Sequence, residues 1–411
     1  MASISAAPNS IIAKVSKNYI YDDVVFSILS KLPIKSLKRF QCVRKSWSLL
    51  FQDSRFMTMF CNKFLYNSHD SSLLLQAYLP YNGDNTYFTE LYSLFGERYE
   101  NMTKLDWPNI SHDQMEPHYF NLDTGHQYDP SDFEFFGFTS INGILCLLRF
   151  YDFPNVIKVV LWNPATKGFK IIPPSSVELC LVQPHFLWFH FCVHGFGYDH
   201  VTDDYKVIRH VKFQPPLPPH DLQTLWEIYS LKGNSWRTLN FDMPTSYPSY
   251  NNVYMSGLCH WLHEEQNLSF EVSLVSFQLS NETFLITPIP CIDDDFGSLF
   301  PSRSHLAVLN GSITLMSYRY QTTTFHISIL GELGVKESWT KLFVVGPLPC
   351  AGLSFGLGKK AEIIFIRSSD CKLTWLDLST HMVEEFGDKK WRHIEYVHYQ
   401  ESLLPIEGID N

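Results

Sequence analysis

The stretch Leu161-Trp162-Asn163-Pro164-Ala165-Thr166-Lys167-Gly168-Phe169-Lys170-Ile171-Ile172 has the form of a hairpin: an apolar strand end, a run of turn formers, and an aromatic residue opening a second strand. The format returns from Ile228 to Leu239 around Trp236 and from Phe277 to Ile286 around Phe284. Looser copies lie from Ile329 to Leu342 around Trp339, from Leu376 to Phe386 around Val383, and from Leu91 to Leu105 around Tyr99. Measured on the opening residue, the steps are 70 (99 to 169), 67 (169 to 236), 48 (236 to 284), 55 (284 to 339) and 44 (339 to 383). Propeller blades repeat at about 40 to 50 residues, so the last three steps are single blades and the first two carry insertions.

A second signal accompanies the first. Asn142-Gly143 before Ile144, Ser256-Gly257 before Leu258 and Asn310-Gly311 before Ile313 are two-residue hairpin turns, which need the positive φ that glycine supplies. Each precedes its copy's opening residue, so a repeat reads as paired hairpins, the four-stranded sheet of a blade. The expected fold class is mainly β, with a β-propeller-like body of about six or seven blades. Six markers give six blades, and terminal strands around Leu73 to Ala77 and Val397 offer a seventh. Composition agrees: 15% of the residues are aromatic, and aromatic side chains pack well on a pleated surface. With 45% hydrophobic and 18% charged residues, the chain is neither disordered nor collagen-like.

Charge divides the 411 residues unevenly. The net is -10, which argues against a general nucleic-acid coat. Residues 1 to 60 hold nine Lys/Arg against Asp22, Asp23 and Asp53, giving +6 and leaving -16 for the rest. Nine scattered cysteines lack the spacing of a disulfide scaffold, and Met1 to Asn18 lacks a signal-peptide pattern, so a reducing compartment, cytoplasmic and/or nuclear, is expected. No apolar run is long enough to span a membrane.

From Tyr19 to about Phe60 the apolar residues fall at helical spacing: Val24, Val25, Ile28, Leu29 and Leu32, then Leu37, Phe40, Val43, Trp47 and Leu50. Asp22 and Asp23 suit a helix start, and Pro33 stops the first helix. Two or three short helices bury too little to stand alone, so some of these residues should face another body.

The run from Ile20 to Trp47 resembles the F-box, most closely the plant type, through Leu32-Pro33-Ile34-Lys35-Ser36-Leu37-Lys38-Arg39-Phe40 and Cys42-Val43-Arg44-Lys45-Ser46-Trp47. F-boxes usually open with Leu-Pro, where this chain has Ile20-Tyr21. The resemblance implies docking on the Skp-family adaptor of a cullin-RING ubiquitin ligase. Carried over by position, the adaptor contacts are Ile20, Ile28, Leu29, Leu32, Pro33, Leu37, Cys42, Val43 and Trp47. The landmark Gly195-Phe196-Gly197-Tyr198-Asp199-His200-Val201-Thr202-Asp203-Asp204-Tyr205-Lys206, together with Leu161 to Lys167, resembles the kelch-like F-box-associated domain of plant F-box proteins, the group of the S-locus F-box proteins. True kelch repeats carry a Gly-Gly pair that is absent here. The implied organisation is a flexible N-terminus over 1–17, an F-box over 18–62, a kelch-like propeller over 63–395 and a tail over 396–411. The implied function is substrate recognition in an SCF (Skp-cullin-F-box) complex, with a target protein as the second partner. Long insertions at about Tyr81 to Asp132, Pro173 to His194 and Phe213 to Asp221 are target-facing candidates by length alone.

Catalytic residues, cofactor and metal are all expected to be none. His190, Cys192 and His194 alternate and share one strand face, but structural zinc normally closes with four ligands held in turn-borne pairs. Their reading is a half-exposed His edge opposite inward Phe189, Phe191 and Val193. Gly352-Leu353-Ser354-Phe355-Gly356 matches a nucleophile elbow, yet a turn and a strand follow it where a helix is required. The alternatives are an F-box protein acting outside a ligase, or a propeller enzyme with a site in its central channel.

Overall fold

The computed structural model describes residues 22–29, 32, 40, 43, 45–48 and 71–406, leaving out 81–86, 97–98, 112–132, 152–155, 183–187, 216–220, 242, 245–251, 265–270, 291–303, 310, 320, 349, 358–361, 379, 392 and 403–405. Helix α1 (Asp22–Leu29) and the single turn α2 (Lys45–Ser48) precede the strands. Blade one contains β1 (Ser71–Pro80), β2 (Tyr87–Phe95) and β3 (Asn101–Leu105). Blade two is β4 (Glu134–Ile141), β5 (Ile144–Tyr151), β6 (Val156–Trp162) and β7 (Phe169–Ile171). After α3 (Ser176–Leu181) comes blade three, with β8 (Trp188–Asp199), β9 (Asp204–Gln214), β10 (Gln223–Ser230) and β11 (Ser235–Leu239). Blade four is β12 (Asn252–Met255), β13 (Leu258–Glu264), β14 (Val272–Gln278) and β15 (Thr283–Pro288). Blade five is β16 (Ser304–Leu309), β17 (Ser312–Arg319), β18 (Thr324–Leu330) and β19 (Trp339–Val345). Blade six is β20 (Cys350–Leu357), β21 (Glu362–Arg367), β22 (Lys372–Asp377) and β23 (Val383–Lys390), and β24 (His393–Gln400) ends the series.

β24 supplies the missing first strand of blade one. It pairs antiparallel with β1, placing Leu74 opposite Val397, and touches β4 through a parallel bridge between His398 and Thr139. The terminal strands therefore close the sixth four-stranded blade, and among the described residues there is no seventh. The boundary expected between 395 and 396 falls inside β24, and Ile406 is buried in the core between blades two and three, so the body runs on through the segment read as a tail.

The spacing markers have a common structural meaning. Phe169, Trp236, Phe284, Trp339 and Val383 lie at or next to the start of the outermost strand of their blades, and Tyr99 sits just before β3. Two of the three expected hairpin turns are present, with φ of 51° and 81° at Asn142-Gly143 and 51° and 82° at Ser256-Gly257; of the third, Asn310 lies outside the described residues and Gly311 has a φ of 69°. Stacking between neighbours buries both sheet faces. In β6, Val159 and Leu161 enter the core shared with blade three, while Val160 and Trp162 enter the one shared with blade one.

Asn163, fully buried, shows why the hairpin quoted first matters. Its Nδ2 donates to the Ser402 carbonyl at 2.8 Å, and its Oδ1 accepts from the Ala165 amide at 3.0 Å and the Tyr399 hydroxyl at 3.3 Å. The turn of blade two is thus tied to the strand that closes the ring.

Candidate functional site

Helix α1 divides its apolar residues between two faces. Val25, Phe26 and Leu29 are buried in one cluster with Leu309, Tyr318, Leu357 and Leu378 of blades five and six, and Leu32 and Trp47 pack against it. Val24, Ile28 and Val43 stay exposed, at 49%, 55% and 66%. An eight-residue helix is marginal in water alone, so seating one face on the body stabilises it while the other remains free. Of the residues carried over as adaptor contacts, Ile28 and Val43 lie outward, Leu32 and Trp47 are partly buried, and Leu29 is turned into the body. Ile20, Pro33, Leu37 and Cys42 lie outside the described residues. Trp47 meets Phe40 edge to face, with ring centroids 5.9 Å apart.

Two of the three insertions are shorter than the sequence suggests. Tyr87–Phe95 and Asn101–Leu105 are blade-one strands inside 81–132, and β8 begins at Trp188 within 173–194. Arg209 fastens the connection carrying α3. Its guanidinium, 2% exposed, donates to Glu178 Oε2 at 2.8 Å, to Glu227 Oε2 at 3.0 Å and to Ser175 Oγ at 2.9 Å, between the Phe191 and Trp236 rings. Family-landmark residues are likewise structural. Burial raises the Asp199 carboxyl, but bonds from Lys206, Thr202 and the Val201 amide outweigh it and hold the group at about 2. Lys206 also donates to the Leu279 carbonyl of blade four at 3.0 Å.

The axis is filled. β24, β4, β8, β12, β16 and β20 lie innermost, and the Phe138 ring of blade two reaches 3.9 Å from the His305 ring of blade five. His305 Nε2 is hydrogen-bonded to the Tyr396 hydroxyl at 2.8 Å. Packed rings therefore cross the axis at the level of Phe138, His305 and Tyr396. Gly352-Leu353-Ser354-Phe355-Gly356 is strand throughout, within β20.

The expected half-exposed His edge holds only for His190. Cys192 and His194 are buried, because Trp226 and Trp261 cover that face. His210, opposite Cys192 in the β8–β9 pairing, joins them. Sequence reading missed it because a cross-strand neighbour is set by register rather than by spacing.

The F-box associated beta propeller domain family matches residues 108–405. The F-box protein CPR1 of Arabidopsis thaliana is 24% identical over 384 residues, covering 87% of this chain and 82% of its own. An F-box/kelch-repeat protein of the same plant is 24% identical over 79% of this chain and 78% of its own, and the Arabidopsis F-box only protein 8 is 27% identical over 66% and 80%. The matched span takes in blades two to six and the strand that closes the ring, and the chain accordingly belongs to the F-box associated β-propeller family of plant F-box proteins.

Proposed function

We propose that this chain is the substrate-recognition subunit of an SCF ubiquitin ligase, in which the helical head, the segment carrying α1 and α2, docks on a Skp-family adaptor and the propeller holds a target protein for ubiquitination. The observation that carries this reading is the divided helix α1: one apolar face is spent on the body, and Val24 and Ile28, with Val43, are left as an exposed apolar surface of the kind that completes a partner's helical groove. Blade topology supports a division of labour. Connections between first and second strands and between third and fourth strands leave one end of the ring, and these include the tight turns at Asn142-Gly143 and Ser256-Gly257. Connections from one blade to the next leave the opposite end, and these include the long spans 106–133, 172–187, 240–251 and 289–303. β1 starts opposite Gln400, at the tight-turn end, so the chain enters the propeller from the head on the side away from the long connections. The chain would then act without catalytic residues of its own, supplying proximity to an enzyme elsewhere in the assembly.

The test is reconstitution. Full-length protein is mixed with a purified Skp-family adaptor and a cullin-RING core, then resolved by size exclusion. Co-elution at equal stoichiometry, with ubiquitin transferred to proteins bound by the body, is the expected result; a chain that elutes alone at micromolar concentration contradicts the proposal.

A further inference from the structure

Between blades three and four lies a cluster that the head and the channel do not use. Cys192 Sγ, one ring nitrogen of His194 and one of His210 all lie within 4.8 Å of one another, and all three residues are buried. His194 Nε2 is 2.5 Å from His210 Nδ1. The Trp226 and Trp261 rings wall the site, with centroids 4.9 and 5.2 Å from that of His194. Lys212 is near enough to act on Cys192, His194 and His210, and His263 near enough to act on His194. Among the described residues no carboxylate joins the cluster.

We propose that Cys192, His194 and His210 form a three-ligand site for a soft d10 cation, filled best by Cu(I). The thiolate is a ligand that soft ions select, and the two imidazoles suit copper and zinc alike. Three ligands satisfy trigonal Cu(I), whereas a closed structural zinc site takes four. Charge points the same way: a thiolate with Cu(I) is neutral, while a thiolate with Zn2+ leaves a net positive charge in a dry space beside the Lys212 cation. On binding, the thiol proton leaves to solvent. The proton held between the two rings moves to the far nitrogen of its own ring, so that His194 Nε2 and His210 Nδ1 both present lone pairs. These nitrogens part from 2.5 Å to about 3.5 Å, the separation set by metal–nitrogen bonds of about 2.0 Å.

The experiment uses the full chain, freed of metal under reducing conditions and titrated with Cu(I) against a chelator of known affinity, with a parallel Zn2+ titration. One equivalent of Cu(I) per chain is expected, with a thiolate-to-copper ultraviolet band and a raised melting temperature. C192S and H210Q should each weaken binding at least about a hundredfold, the upper end of what losing an outer-shell partner costs, while H190Q and C146S leave it unchanged. Metal-free melts of both ligand variants check folding, and if one does not fold the other carries the test. Failure to bind Cu(I) stoichiometrically, or equal binding by the folded ligand variants, overturns the site; preference for Zn2+ over Cu(I) overturns the charge assignment.

Discussion

Acidification should unfold this propeller through two histidines that are buried as neutral rings. His260 is fully buried with its Nδ1 hydrogen-bonded to Ser276 Oγ at 2.8 Å, and His305 is held by Tyr396 at the axis. Burial pushes each ring down to about 3, aided at His305 by His398. In the unfolded chain an imidazole titrates near 6.5, so below that pH the unfolded state binds more protons and stability falls with the pH. The loss begins at about 6.5, grows as the pH drops, and levels off near 3 where the folded rings also protonate. Integrated from pH 7.5 to 5.0, each ring costs about 2 kcal/mol and the pair about 4 kcal/mol. Urea unfolding of wild type, His260→Gln and His305→Gln at both pH values reads this directly. Whatever its stability at pH 7.5, each variant's loss between the two pH values should be about 2 kcal/mol smaller than that of wild type. Equal losses in wild type and variants would refute the reasoning, since the rings would then be protonated within the fold.

Three further outcomes follow from packing. Asn163→Ala removes the side-chain donor to the Ser402 carbonyl and one of the two acceptors of the Ala165 amide, whose other is the Tyr399 hydroxyl, and should cost about 1–3 kcal/mol in urea unfolding while exposing the C-terminal strand to limited proteolysis. Arg209→Met takes the guanidinium from Glu178 and Glu227, leaving Lys158 near the first and the Ser175 hydroxyl on the second, and should cost about 3–5 kcal/mol, most of it recovered when both acids are also changed to Gln. At Gly356 an added Cβ would fall 1.2 Å from the Tyr396 hydroxyl, so Gly356→Ala should lower the melting temperature sharply, by the overpacking cost of about 1–3 kcal/mol or more; Gly311→Ala, with nothing within 4 Å, pays only for its φ of 69°.

The repeat was legible because each outer strand opens on a large residue such as Phe169 or Trp236 and each blade has room for tight turns. Closure was half legible. Leu73 to Ala77 and Val397 looked like spare strands, but only the register of Leu74 on Val397 shows that they complete a blade rather than add one. In the head, periodicity marked every apolar position and could not divide them, since Leu29 and Ile28 differ only in which body they face. The Cys192 cluster needed the third dimension as well: alternation put His190 with Cys192 and His194, while the fold brings in His210 and leaves His190 at the edge.

The docking face proposed for the helical head is tested most directly by measuring the affinity of the full chain for a purified Skp-family adaptor with Ile28 and Val43 both changed to Asp. Both side chains are exposed, so the melting temperature should not move. Burying two aliphatic side chains is worth about 1.5–3 kcal/mol each, and a carboxylate in their place adds a desolvation cost, so binding should weaken at least about a hundredfold. Wild-type affinity in the folded double variant would contradict the account and leave α1 as a cap on blades five and six.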